Sequence, residues 1–248
     1  MQCLILAGGL GDRMKPATET VAKALLPVCG RPFADYQLTW LAGQGVTGVV
    51  YAIGHKGGQI RDFAGDGGRW GLEATYSDEG ETGLGTGGAV RLAVDHGLLG
   101  DEPGGGFLVL YGDSYLSIDI GRVWAASDRG ARPLMCVHRN DGRWDASNAV
   151  FEDGHVTRFE KGLAGKGGAD AAELGMDCID YGLSVLTGDI VREYVPAGVT
   201  FDLADVHRRL AETGELLGFE ATERFYEIGS PEGLADLEAY LGGLSSTP

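Results

Sequence analysis

The feature that most restricts the fold is the passage from Cys3-Leu4-Ile5-Leu6 into Ala7-Gly8-Gly9-Leu10-Gly11-Asp12-Arg13. Four consecutive apolar residues read as a buried strand. Glycines at its end let the backbone turn tightly or come close to a ligand. Similar apolar runs at 49–53, 74–76 and 107–111 alternate with segments of helical period at 33–41, 59–63 and 88–94. Strand alternating with helix predicts a doubly wound α/β architecture with a mostly parallel sheet.

After about residue 132 the texture changes. Short strand candidates follow at 134–137, 149–151, 156–159 and 185–186, with Asp153-Gly154 as a hairpin turn. Helices are expected near 203–213 and 231–241, the second opened by the cap Ser230-Pro231. Residues 162–172, rich in Gly and Ala, read as a loop. The second part is therefore expected to be a smaller, β-rich lobe built on the same sheet.

Composition narrows the function. A net charge of −16 over 248 residues argues against general nucleic-acid binding and against anionic membranes. Within 1–31, however, Arg13, Lys15, Lys23 and Arg31 face only Asp12 and Glu19. That local surplus suits a small anionic ligand, or a chance surface cluster. No apolar stretch is long enough to span a membrane, and the opening residues lack the pattern of a secretory signal, so a cytoplasmic protein is expected. Cys3, Cys29, Cys136 and Cys178 are scattered and form no C-x-x-C pair, which points to structural thiols rather than disulfides or zinc.

The glycine-rich opening sits at the carboxyl end of a strand, where open α/β sheets bind ligands. Arg13 adds a planar cation suited to phosphate oxygens. A P-loop is excluded, because no Gly-Lys-Ser/Thr follows. The dinucleotide pattern G-x-G-x-x-G fails here at Met14. It matches formally at Gly83, Gly85 and Gly88, but after the polar run 77–82 rather than a buried strand. An NAD-dependent oxidoreductase is thereby disfavoured. The bland alternative for the opening is a tight strand-to-helix turn with no ligand. His55, His96, His138, His155 and His207 show no ligand spacing and read as structural or surface residues.

Taken in order, the blocks become recognisable. The opening loop is followed by Lys23-Ala24-Leu25-Leu26-Pro27-Val28-Cys29-Gly30-Arg31-Pro32-Phe33. Then come Leu84-Gly85-Thr86-Gly87-Gly88-Ala89 and Tyr111-Gly112-Asp113-Ser114. Last are Phe159-Glu160-Lys161, Asp180-Tyr181-Gly182-Leu183 and Tyr226-Glu227-Ile228-Gly229-Ser230-Pro231-Glu232. This ordered set resembles the sugar-1-phosphate nucleotidyltransferases. It is most similar to short members such as heptose-1-phosphate guanylyltransferases and N-acetylmuramate-1-phosphate uridylyltransferases.

The resemblance implies a Rossmann-like α/β fold with a mixed, mostly parallel sheet and helices on both faces. It implies one domain, with a nucleotide-binding half at 1–131 and a sugar-phosphate-binding half at 132–248. Leu6, Ala7, Gly8, Gly9, Gly11, Asp12 and Arg13 would hold the triphosphate, and Lys23 the phosphates at the reacting centre. Gly85, Thr86, Gly87 and Gly88 would pass the base and ribose. Asp113, Glu160, Lys161, Asp180 and Gly182 would line the sugar phosphate, and Asp113 with Glu227 would bind Mg²⁺. The implied substrates are an NTP, GTP or UTP, and a sugar 1-phosphate, the products an NDP-sugar and pyrophosphate. An apolar surface in the second half would suit a homodimer.

The residue types fit this chemistry on their own. Attack of one phosphate on another asks the protein mainly to position anions and neutralise charge. Carboxylates suit a hard cation, while Arg13 and Lys23 supply fixed positive charge. Locally, Asp113 could equally be a turn former, Lys161 a solvated lysine and Glu227 a surface residue. Trp144, Asp145 and Asn148 could touch the sugar or simply fold over the core. The chain departs from the family pattern with Asp12 for Thr or Ser, Ala22 for Pro, and Glu227 for Asp. A non-catalytic nucleotide-sugar-binding regulator on the same fold is the competing reading.

Overall fold

The computed structural model describes residues 1–80, 83–102, 104–140, 146–162 and 168–245. The chain begins with β1 (Gln2–Leu6), the short strands β2 (Pro27–Val28) and β3 (Arg31–Pro32), and α1 (Phe33–Gly43). Next come β4 (Gly48–Ile53), α2 (Gly57–Ala64), β5 (Glu73–Asp78), α3 (Gly85–Asp95), β6 (Gly106–Tyr111) and β7 (Ser114–Tyr115). The later chain forms α4 (Ile120–Ala126), β8 (Leu134–Arg139), β9 (Ala149–Glu152), β10 (His155–Phe159), α5 (Gly168–Glu173) and β11 (Cys178–Thr187). It ends with α6 (Gly188–Tyr194), α7 (Leu203–Glu212), β12 (Leu217–Ala221), β13 (Tyr226–Glu227) and α8 (Pro231–Ser245).

These elements group into two compact units whose chain segments interleave. The first comprises the described parts of Met1–Gly83, Leu110–Ser117 and Phe225–Pro248. Its sheet runs β5-β4-β1, with the end of β6 beside β1. The β1–β4 and β4–β5 pairings are parallel, from Gln2↔Gly48 to Leu6↔Ala52 and from Gly48↔Glu73 to Ile53↔Asp78. Cys3, Leu4, Ile5, Val49, Val50, Tyr51 and Ile53 are all buried, as expected of parallel strands covered on both faces. Met14, Leu26, Val28 and Phe33 form a second core with Ile228, Leu237 and Leu241 of the C-terminal region. Met14 follows Arg13, and Ile228 follows Glu227. This apolar cluster therefore anchors the backbone beside two predicted site residues.

The second unit comprises the described parts of Leu84–Val109 and Ile118–Arg224. Its strands run β6-β11-β8-β12-β10-β9 in a mixed pattern. β8 is antiparallel to β11 and parallel to β12. The β9–β10 hairpin turns at Asp153 and Gly154, both at positive φ (48° and 79°), as a tight hairpin turn requires. On α7, Leu203, Val206, His207 and Leu210 form the buried stripe.

The predicted strands and long helices are present. The stretch read as a loop at 162–172 contributes α5, where Ala and Glu favour helix; residues 163–167 lie outside the described residues, as do Trp144 and Asp145. The helices α4 and α6 and the strand β12 were not anticipated. Among the described residues no helix is long and apolar enough to cross a membrane. All four cysteines are free, with Cys3, Cys136 and Cys178 buried and Cys29 exposed. Burial pushes the thiols of Cys3 and Cys136 well up and that of Cys178 to about 12, so these three are inert packing groups.

Candidate active site

In the first unit, β1 leads straight into the glycine loop, and Ala7 still donates to Ala52 O at 2.8 Å. Gly11 has φ +69°, a conformation that lets the chain turn into the short helical turn Asp12–Met14. The turn is pinned from below, because the Thr18 hydroxyl donates to Gly11 O at 2.9 Å and Lys56 Nζ donates to Thr18 O. A methyl group on Gly9 would meet nothing within 4 Å. The amides of Gly8, Gly9, Leu10 and Gly11 find no acceptor among the described residues. Amides left open in this way form a ready cradle for an anion.

Asp12 places a carboxylate beside that cradle. Lys15 answers it across one turn at 2.8 Å, and this hydrogen bond and charge hold the Asp12 pKa below its usual value. A carboxylate beside an anion cradle is repulsive, and the neighbouring Lys15 cation offsets that charge. The Nη2 of Arg13 and the Oε1 of Glu227 lie 3.0 and 3.1 Å from the point where a Cβ on Gly229 would sit. Gly229 thus leaves the room in which this cation and this carboxylate come near each other.

Lys23 opens a short helical turn, Lys23–Leu25. The preceding backbone is fixed by Gln59, whose Oε1 accepts from the Ala22 amide at 2.8 Å and whose Nε2 donates to Thr20 O at 2.9 Å. Lys23 Nζ meets Asp113 Oδ2 at 2.5 Å, with both side chains mostly buried. β7 pairs with β13 so that Ser114 faces Glu227, and the Ile228 amide donates to Asp113 O at 2.9 Å. Two carboxylate residues 114 positions apart in sequence thereby sit on adjacent backbone positions.

Gln37 holds this arrangement from behind. It is fully buried on α1, and its Nε2 donates to Tyr111 O and Ser114 O, each at 3.0 Å. Both acceptors flank Asp113. Gln37 was missed in the sequence, although a signal existed: it occupies a core position between Phe33 and Leu41 at helical spacing.

In the second unit the glycines before and within α3 have a different cause. Gly85 sits at φ +69°, and a Cβ there would lie 2.7 Å from Phe201 O. The Gly87 and Gly88 amides donate to that same Phe201 O at 2.9 and 3.2 Å. The Thr86 hydroxyl proton goes to Asp202 Oδ1 at 3.0 Å, and its oxygen accepts from the Leu203 amide at 2.9 Å. Close packing on the segment 201–203 is thus sufficient to require glycine in this turn.

Asn148 brings two other predicted residues together. Its backbone O accepts from the Glu160 amide at 2.9 Å, and its Oδ1 accepts from the Asp180 amide at 3.0 Å. Asn148 is a brace between β10 and β11. Asp180 stands where the β8–β11 register shifts, and its Oδ1 accepts from the Gly182 amide at 2.9 Å. Burial lifts the Asp180 pKa to about 6, against the pull of the Gly182 amide and the Lys161 charge. Lys161 Nζ pairs with Asp202 Oδ2 at 2.6 Å. Asp202 and His207 carry no sequence signal of a site.

Among the described residues no three or more His, Cys, Asp or Glu side chains form a metal-binding group. Asp113 and Glu227 offer two carboxylates. That donor set fits Mg²⁺, which commonly takes one or two protein carboxylates and completes its shell with phosphate oxygens and water.

A profile of the nucleotidyl transferase family matches residues 2–140. Glucose-1-phosphate thymidylyltransferase of Streptomyces antibioticus is 32% identical over 164 residues, which covers 65% of this chain and 44% of that protein. N-acetylmuramate alpha-1-phosphate uridylyltransferase of Neisseria meningitidis is 41% identical over 119 residues, covering 48% of this chain and 49% of that protein. The chain spans about half the length of these curated relatives. Among solved structures, HddC from Yersinia pseudotuberculosis complexed with GMP-PN superposes with a TM-score of 0.73 at 25% identity, covering 97% of this chain and 99% of that one.

Proposed function

The chain belongs to the nucleotidyl transferase family, and we propose that it transfers a nucleoside monophosphate from GTP or UTP to a sugar 1-phosphate, releasing pyrophosphate. The observation that carries this reading is the Lys23–Asp113 pair, set beside Glu227 by the β7–β13 pairing. A site that only bound a nucleotide would need the amide cradle and Arg13, but not a carboxylate paired with a mostly buried lysine and a second carboxylate residue on the neighbouring backbone.

In this reading the loop Gly8–Arg13 receives the triphosphate on its open amides, and Arg13 faces the outer phosphates. Lys23 neutralises charge where the sugar phosphate oxygen attacks the α-phosphorus and pyrophosphate departs. Preorganised cations of this kind lower the barrier because they need no rearrangement during the reaction. Asp113 and Glu227 would hold Mg²⁺, which would supply further charge neutralisation to the phosphates. Glu160, Lys161, Asp180 and Gly182 serve the sugar phosphate. With its pKa near 6, Asp180 can donate or accept a hydrogen bond to a sugar hydroxyl near neutral pH.

The test supplies Mg²⁺, then GTP, UTP, dTTP, ATP or CTP, and a panel of hexose and heptose 1-phosphates with N-acetylmuramate 1-phosphate. Pyrophosphate release is read out. Release with GTP or UTP, abolished by chelation and in Asp113→Ala, is the expected result. Binding of a nucleotide-sugar without any release would replace the enzyme by the regulatory reading.

A further inference from the structure

Asp202 caps the start of α7, and its two oxygens face different partners. Oδ1 accepts from the Ala204 amide at 3.0 Å and from the Thr86 hydroxyl at 3.0 Å. Oδ2 accepts from the Lys161 ammonium at 2.6 Å. The backbone beside it is fixed to the turn before α3, since the Phe201 amide donates to Leu84 O at 2.9 Å and Phe201 O receives the Gly87 and Gly88 amides. One carboxylate thus joins a rigid glycine turn to a flexible, half-exposed lysine. Capping alone does not call for aspartate here, because Ser, Thr or Asn would cap as well. Aspartate is the capping residue that keeps a second, charged oxygen for a cation.

We propose that Asp202 is a positioning residue, holding the Lys161 ammonium in place for the phosphate of the sugar 1-phosphate and tying it through Thr86 to the glycine turn. The assignment of that phosphate to Lys161 rests on the function proposed above. The physical gain is preorganisation. A free lysine loses rotamer freedom when fixed, and Asp202 imposes much of that cost before the substrate arrives.

The decisive variant is Asp202→Asn. Its carbonyl oxygen still accepts from Ala204 and Thr86, so the cap survives, while its amide repels the ammonium. With the best pair from the substrate panel, KM for the sugar 1-phosphate is expected to rise roughly fivefold, the size of a good charged contact. KM for the NTP and kcat are expected to stay within about twofold of wild type, since the lost contact binds ground and transition states alike. Thr86→Val is expected to give a smaller shift in the same direction, and Thr86→Ser to restore the wild-type value.

A second readout needs no turnover. In ¹⁵N-labelled protein, the Lys161 ammonium protons are expected to exchange slowly in wild type and to broaden away in Asp202→Asn. An unchanged ammonium signal in the variant overturns the proposal. So does a sugar-phosphate KM that stays constant or falls, because a fall shows Asp202 competing with the phosphate for the lysine. If wild type turns over no sugar 1-phosphate, the functional reading fails on its own, and the ammonium signal then decides whether Asp202 fixes Lys161.

Discussion

At the scale of single residues, the site is made by side chains that hold other side chains. Asp113 reads as the central group, yet its backbone is set by Gln37, which donates to the carbonyls on either side of it. Removing a group that orients a metal-binding carboxylate commonly costs 10- to 100-fold in metal affinity or activity. Gln37→Leu keeps the volume and the apolar surroundings but removes both donors. It also removes the Oε1 that has no partner among the described residues, which offsets part of the cost of depriving the two carbonyls of this donor. The expected outcome is a shift of the Mg²⁺ activation curve to roughly tenfold higher concentration, with a thermal midpoint close to wild type. A curve that does not move would show that Gln37 serves packing alone.

At the scale of elements, two glycine-rich turns look alike in sequence and differ in physical cause. The turn after β1 is open at Gly9, where nothing lies within 4 Å of a Cβ, although Gly8 packs against the Glu79 side chain and Gly11 against Thr18. The turn before α3 is closed, since a Cβ on Gly85 meets Phe201 O at 2.7 Å and φ is +69°. Gly85→Ala is therefore expected to destabilise the protein by about 2 kcal/mol or more, through strain and the clash. Gly9→Ala is expected to leave stability within about 0.5 kcal/mol while weakening NTP binding. Denaturant unfolding of both variants beside nucleotide titration checks the pair, and equal stability losses would refute the distinction. This contrast marks the limit of what was legible in the sequence. Glycine after an apolar run announces a special backbone, but whether the space beside it is empty depends on a partner such as Phe201, 116 positions away. Strands β1, β4 and β6 were legible because their apolar runs are long. The two-residue strands β7 and β13, which bring Asp113 beside Glu227, are too short to leave a period. Asp202 gave no signal in the sequence, because its second oxygen finds Lys161 only in the fold.

At the scale of the whole molecule, two buried groups in the second unit make stability depend on pH in opposite senses. His207 lies in the core against Phe159, with neither ring nitrogen partnered among the described residues. Burial lowers its pKa from 6.5 to about 4. Between those values the unfolded chain takes up a proton that the folded protein refuses, so this contribution falls as pH drops from about 6.5 to 4. Burial raises the Asp180 pKa from 3.8 to about 6. There the folded protein keeps a proton that the unfolded chain releases, so this contribution is full below 3.8 and is lost as pH rises through 6. Each shift corresponds to about 3 kcal/mol at the 1.36 kcal/mol per unit of linkage, and across pH 4–6 the two nearly offset. His207→Phe replaces one ring by another and removes the first contribution. Asp180→Asn keeps an acceptor for the Gly182 amide and removes the second. Relative to wild type, His207→Phe is expected to gain stability toward pH 4.5, and Asp180→Asn to gain it toward pH 7. Urea unfolding at half-unit steps from pH 4.5 to 7.5 measures both differences. Difference curves with the same slope would show that one of the two groups is solvated in the folded protein.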